Sequence, residues 1–260
     1  MKDIGVLLQK EWRENIRSFK ILWIPLVFII LGVMEPLTYY FLPQIMSSVG
    51  NVPEGVDFVL PELLGEDIFA SLTSQYQFIG LLVVILAFMG TISRERKSGA
   101  GTLLYVRPIS YVSYFMSKWL TVNGIVLISL TAGYMASWYY IDLLYNSVDP
   151  AGVFQLIASY FLWFMFVVTL TLAASAWLST GGAAAVALLI TFFGQIVDAI
   201  VGKYWTVTPW KLALYSPTWL KNGPDSDTYW LTVLLTAILI AILIAFGIWM
   251  SKKNAAKTKI

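Results

Sequence analysis

The sequence predicts an all-α integral membrane protein with six transmembrane helices in a single transmembrane domain over residues 1–260, and three observations predict it. Charged residues make up 12% of the chain and hydrophobic ones 58%, whereas a water-soluble domain carries about 25% charged residues. Six stretches stay apolar over the roughly 20 residues that a helix needs to cross a bilayer. The basic residues gather in the segments on one side of those stretches. A hydrophobic soluble bundle has no reason to segregate lysine and arginine; a membrane has one, because cytoplasmic loops retain positive charge.

The first segment, 3–20, is too polar to span. Ile4, Leu8, Trp12, Ile16 and Phe19 recur at three- and four-residue steps, with Leu7 alongside, while Lys10, Arg13, Glu14 and Arg17 take other faces. This is the pattern of an amphipathic helix lying in the inner membrane interface, its apolar side against lipid or protein. Trp12, Arg13 and Arg17 are its interfacial residues. No cleavable leader is expected, since the first apolar run begins only at Ile21, is long, and has no small-residue cleavage site after it.

The spans are placed at 21–42, 75–93, 118–141, 153–178, 183–202 and 229–250. Pro36 predicts a kink in the first. The loop 43–74 carries Glu54, Asp57, Glu62, Glu66 and Asp67 and no basic residue; within it, 60–72 reads as a short helix with Pro61 near its first turn. Ser179 to Gly182 is either a tight turn between two spans or a break within one longer apolar unit. Residues 203–228 hold Tyr204, Trp205, Trp210, Tyr215 and Trp219, punctuated by Pro209, Pro217 and Pro224. They read as an outer re-entrant element of one or two short helices before span six.

Orientation follows from the basic residues. Lys2, Lys10, Arg13, Arg17 and Lys20 precede the first span. Arg94, Arg96, Lys97, Arg107 and Lys118 lie between the second and third, and Lys252, Lys253, Lys257 and Lys259 follow the sixth. That side is read as cytoplasmic, so both termini lie inside a plasma membrane.

Cysteine and histidine are both absent, which removes thiolate and imidazole metal sites and the histidine general base of most hydrolases. No G-x-x-x-x-G-K-[ST] phosphate loop occurs. No catalytic residue and no metal site is therefore expected, and no nucleic-acid partner. Glu35 and Asp198 are the carboxyls well inside predicted spans, and a charge there is by default a functional-site candidate. Glu35 is either part of a substrate path or a boundary residue. Asp198, one turn from Gln195, either lines a path or dimer interface with it or is neutral in the packed bundle.

The segment 94–117 after span two carries the mechanism. A charge cluster, Arg94-Glu95-Arg96-Lys97, is followed by the flexible Gly99-Ala100-Gly101, an apolar run 102–106, and Arg107-Pro108; Ser110 is placed to cap a helix running into span three. Glu95, Gly99, Pro108, Ile109, Ser110 and Lys118 together resemble the loop of type-2 ABC exporter permeases: Glu, Gly four later, Pro nine further on followed by an aliphatic and Ser, and Lys ten after the Pro. Ala100 and Gly101 depart from the usual Thr-Leu pair.

That resemblance implies a bacterial transporter made of separate subunits. The segment 94–117 would be a coupling helix against an ATPase subunit, with Arg94, Glu95, Arg96, Lys97, Gly99, Arg107, Pro108, Ser110 and Lys118 as coupling residues. A second permease subunit, identical or homologous, would complete the path. An ATPase dimer would bind ATP and magnesium, no cofactor being held by this chain, and membrane lipid would surround the assembly. An amphipathic or peptide-like cargo is implied on the same ground. The competing readings are a secondary transporter or channel, and a non-transporting immunity or sensor protein.

Overall fold

The computed structural model describes residues 2–49, 63–98 and 110–257, and among them all regular structure is helical. Helices close every backbone hydrogen bond within one segment, which a hydrocarbon surrounding demands. Six are long and apolar enough to cross a bilayer: Lys20–Ile45, Gly65–Lys97, Tyr111–Leu144, Pro150–Trp177, Thr180–Val201 and Ser226–Asn254, numbered here as spans one to six. A separate helix, Lys2–Arg17, precedes them. It meets span one at a sharp corner, where Phe19 adopts the left-handed conformation (φ 56°).

Two spans begin earlier than the apolar runs suggest. Span two starts at Gly65, not near 75, so the part of the expected 60–72 helix that lies among the described residues is simply its first turns. The Gly65 N–H donates to Asn146 Oδ1 at 2.7 Å, and Glu66 and Asp67 occupy the electropositive first turn. The helix continues through a single π turn, Tyr76–Gly80, to Phe88. Span three starts at Tyr111, where the Ser110 hydroxyl oxygen caps it by accepting from the Val112 N–H at 3.3 Å. Span one continues as helix through Pro25, Pro36 and Pro43. The Pro36 carbonyl accepts from the Tyr145 hydroxyl at 2.9 Å. The junction at Ser179 is a tight turn: its side chain accepts from the Gly182 N–H and starts span five.

Span four is the axis of the bundle, with 78% of its most apolar window buried, against 17% for span five and 22% for span six. Spans five and six therefore turn most of their surface outward. Span one crosses span three where Gly32 meets Gly133, small residues that let two backbones approach closely. Around this crossing Tyr76, Tyr134 and Tyr160 form an aromatic column with centroids 5.2 and 6.2 Å apart. Each hydroxyl has a partner: Tyr76 donates to the Phe28 carbonyl at 2.7 Å, Tyr134 pairs with Thr73 Oγ1 at 2.8 Å, and Tyr160 donates to the Thr73 carbonyl at 3.0 Å. Before span six, the helical turn Lys211–Tyr215 and the tighter turn Ser216–Leu220 pack on span four, with Leu212 and Ser216 fully buried.

A β-carbon on Gly133 would collide with the Tyr76 hydroxyl and the Phe28 carbonyl. Gly133→Val is expected to destabilise the bundle by about 1–3 kcal/mol, the usual effect of overpacking. Thermal unfolding of the detergent-solubilised protein measures this; an unchanged transition would show that the crossing is not the close contact described.

Candidate functional site

At the basic end of the bundle three elements meet that are distant in sequence: the N-terminal helix, the end of span two and the start of span three. Because span three begins at Tyr111, Lys118 sits about two turns inside the helix and is almost wholly buried. Its ammonium contacts Glu11 Oε1 at 2.8 Å and Glu95 Oε2 at 2.9 Å. The Tyr114 hydroxyl donates to the same Glu95 oxygen at 2.7 Å. Lys10 closes the arrangement by binding the other oxygen of Glu95 and reaching Glu11 Oε1 at 3.1 Å. Two cations thus balance two inward-facing carboxylates. Burial works against the Lys10 ammonium, but Glu11 and Glu95 outweigh it and hold its pKa above the ordinary lysine value. Glu14 brings a third carboxylate close to Glu11 and Glu95, and Lys10, 3.7 Å from Glu14, occupies the space between them.

The N-terminal helix turns an unexpected face to the bundle. Leu7, Glu11 and Asn15, four residues apart, are buried against span three, while Trp12, Ile16 and Phe19 are exposed. Trp12, Arg13 and Ile16 instead border a groove that Leu120 and Thr121 complete. Arg17 lies on the exposed side.

The last turn of span two is anchored on span four. Ser175 Oγ accepts from the Ile92 and Ser93 N–H groups at 3.2 and 3.1 Å. The Arg96 guanidinium donates to the Ala176 carbonyl at 2.6 Å and to the Leu178 carbonyl at 2.5 Å. Asn254, at the end of span six, donates to the same Ala176 carbonyl at 2.7 Å. Arg96 therefore neutralises the carbonyl end of span four. Arg94 and Lys97 remain exposed, Arg94 folding back over Gly90. Gly99, Arg107 and Pro108, with the rest of the expected coupling helix, lie outside the described residues.

The intramembrane carboxyls do not converge. Glu35 is half-buried beside Ser71 of span two. Gln195 and Asp198 line a cleft at the opposite end of the bundle, between spans two and five and the turns before span six. Asp198 accepts from the Thr208 hydroxyl at 3.0 Å and pairs with Lys211 at 3.2 Å.

Sequence reasoning found Glu95, Arg96 and Lys118 but missed Lys10, Glu11, Tyr114 and Asn254. An acidic residue at the i, i+4 step from Leu7, ahead of Asn15 at the next such step, was the available signal for Glu11.

Six helices long and apolar enough to cross a bilayer describe a multi-pass membrane protein. Residues 6–250 match the ABC-2 family transporter protein family, and the chain belongs to it. The chain is also similar to the uncharacterized transmembrane protein YxlG of Bacillus subtilis (strain 168), with 37% identity over 187 residues, 71% of this chain and 72% of the relative. Family membership makes the chain a permease component of an ABC transporter and implies association with an ABC ATPase subunit.

Lys118→Met leaves Glu11 and Glu95 with one cation between them. It is expected to cost about 3–5 kcal/mol, as breaking a buried ion pair does. Adding Glu11→Gln, which removes the surplus charge, should recover part of the loss. Chemical unfolding of the three proteins in one detergent checks this; additive losses would refute the pairing.

Proposed function

We propose that the chain is the membrane-spanning subunit of an ATP-driven exporter, coupled to a separate ATPase at its basic end. That end faces the cytoplasm of a bacterial plasma membrane, with both termini inside. The observation that carries this reading is the burial of Lys118 between Glu11 and Glu95. It joins the N-terminal helix, the end of span two and the start of span three into one body, so a partner pressing at this end moves helices. Arg94, Lys97 and Ser110 stand at the two roots of the segment 99–109. The ATPase dimer holds ATP and its magnesium.

The N-terminal helix lies in the inner interface, its exposed Trp12, Ile16 and Phe19 in lipid and Arg13 and Arg17 at the level of the phosphates. The turns 211–220 form a re-entrant element on the outer side. A second permease subunit, identical or homologous, completes the path, and the little-buried span five is the surface most available to it. The cargo is amphipathic or peptide-like.

Purification of the tagged chain from its host membrane should bring down an ATPase carrying a phosphate-binding loop. Glu95→Ala and Gly99→Trp should each lower cargo-stimulated ATP hydrolysis on the order of tenfold, within the usual range of coupling energies, while membrane insertion stays intact. Export at the normal rate in both variants would remove the case for this contact.

A further inference from the structure

The cleft at the acidic end has a volume of about 640 Å³, and its chemistry is unbalanced. Gln77, at the π turn of span two, lines it and is 5% exposed. Its Oε1 accepts from the Trp163 indole N–H at 2.7 Å and lies 3.2 Å from the Tyr160 hydroxyl. An indole nitrogen only donates, so the side-chain amide cannot be flipped. Its Nε2, with two N–H groups, has no partner among the described residues. Buried donors at membrane depth require acceptors.

The surroundings supply more donors than acceptors. Asp198 is the carboxylate among the lining residues, and both its oxygens are engaged, by Thr208 and Lys211. Lys211 gives one of its three N–H groups to that bond, and Lys203 adds an exposed ammonium. The lining hydroxyls of Thr73 and Ser74 bond to the helix carbonyls of Phe69 and Ala70 at 2.8 and 3.1 Å. What fits is an anion with several oxygens. Leu214 in the lining is exposed, and Ala70, Ala199, Ala213 and Pro217 add apolar surface beside it, so an aliphatic tail has a surface to lie on.

We infer that this cleft binds the phosphate-bearing head of an amphiphile, with the Gln77 amide, Lys203 and Lys211 as donors. The site calls for two lysines and an amide around one oxygen-rich group, which phosphate fulfils with charge to spare. The inference rests on the permease reading only where the ligand is taken as cargo. The same chemistry is offered by a resident phospholipid.

The test uses the full chain delipidated in octyl glucoside micelles, which carry no phosphate, titrated with dodecyl phosphate, and with dodecyl maltoside as the uncharged comparison. Saturable binding of the phosphate alone is expected. Gln77→Glu keeps an oxygen for Trp163 and Tyr160 but deletes the two N–H groups; Lys203→Gln alters an exposed residue and spares the fold. Each should weaken binding by about tenfold, the scale of one charge-assisted contact. If Gln77→Glu fails to fold, Lys203→Gln decides alone. Native mass spectrometry of the chain extracted from its host membrane separates the sources. Phospholipid retained by the wild type and lost in Lys203→Gln marks a resident lipid, whereas dodecyl phosphate binding without retained phospholipid marks a single-chain cargo. Absence of saturable binding, or equal affinity in the wild type and Lys203→Gln, overturns the inference. Because no ATPase is present, that result would leave the proposed coupling standing, and a failed ATPase recovery would leave this site standing.

Discussion

The arrangement of the basic end depends on one buried lysine. Lys118 lies where water does not reach, and an isolated ammonium there would lose its charge or its place. Glu11 and Glu95 make its position tenable, and they come from two other elements. The three helices are thereby held in one register: moving any of them strands a charge. Apolar packing alone would not do this, since leucine and valine surfaces slide with little penalty when lipid is as apolar as the neighbour. Lys10 and Tyr114 complete the charge and hydrogen-bond balance, and a fully satisfied network of this kind is stiff.

The rest of the bundle is held by different means. Spans one to four close on a tyrosine column whose hydroxyls are all engaged and on a glycine crossing that brings two backbones together. Spans five and six are fastened to this inner set along fewer faces and expose rows of large aliphatic side chains. The bundle is thus a four-span inner block with two outward-facing spans packed on it, and the cleft lies where span five meets the block, between Gln77 and Asp198.

Much of this was legible in the sequence at the level of elements and little at the level of pairs. Length and hydropathy give six spans because bilayer thickness is a single external ruler. The helices of spans two and three begin before the expected starts, because Gly65–Ser74 is helical but of mixed polarity and because the charge of Lys118 masks the apolar helix that already runs from Tyr111. Counting basic residues grouped Lys118 with the surface charges, since such a count is blind to burial. Its partner Glu11 is 107 residues away, and no local pattern encodes such a pairing. The apolar stripe of the N-terminal helix was equally ambiguous: an interface wants an apolar face outward, and here the polar Glu11 goes inward because span three offers it Lys118, while Asn15 beside it donates back to the Glu11 carbonyl. The cleft required knowing that Trp163 and Tyr160 both address one oxygen of Gln77.

The anchoring of span two decides where a force applied at residues 99–109 would travel. Phe88 ends the long helix, and a turn separates it from Ser93–Lys97. That last turn is tied to span four through Ser175 and through the Arg96 contacts to Ala176 and Leu178, and to span three through Glu95 and Lys118. Residues 89–92 form a turn that backbone hydrogen bonds still bridge, from Met89 to Ile85, Thr91 to Phe88 and Arg94 to Gly90, so the end of span two is joined both along its own axis and sideways to spans three and four. Span four is the buried axis on which spans five and six and the turns 211–220 all rest. Displacing it changes the separation of Gln77 from Asp198, because the first is tied to span four through Trp163 and the second belongs to span five, which span four carries at the Ser179 turn. The basic end and the cleft are in this way joined through span four as well as along span two.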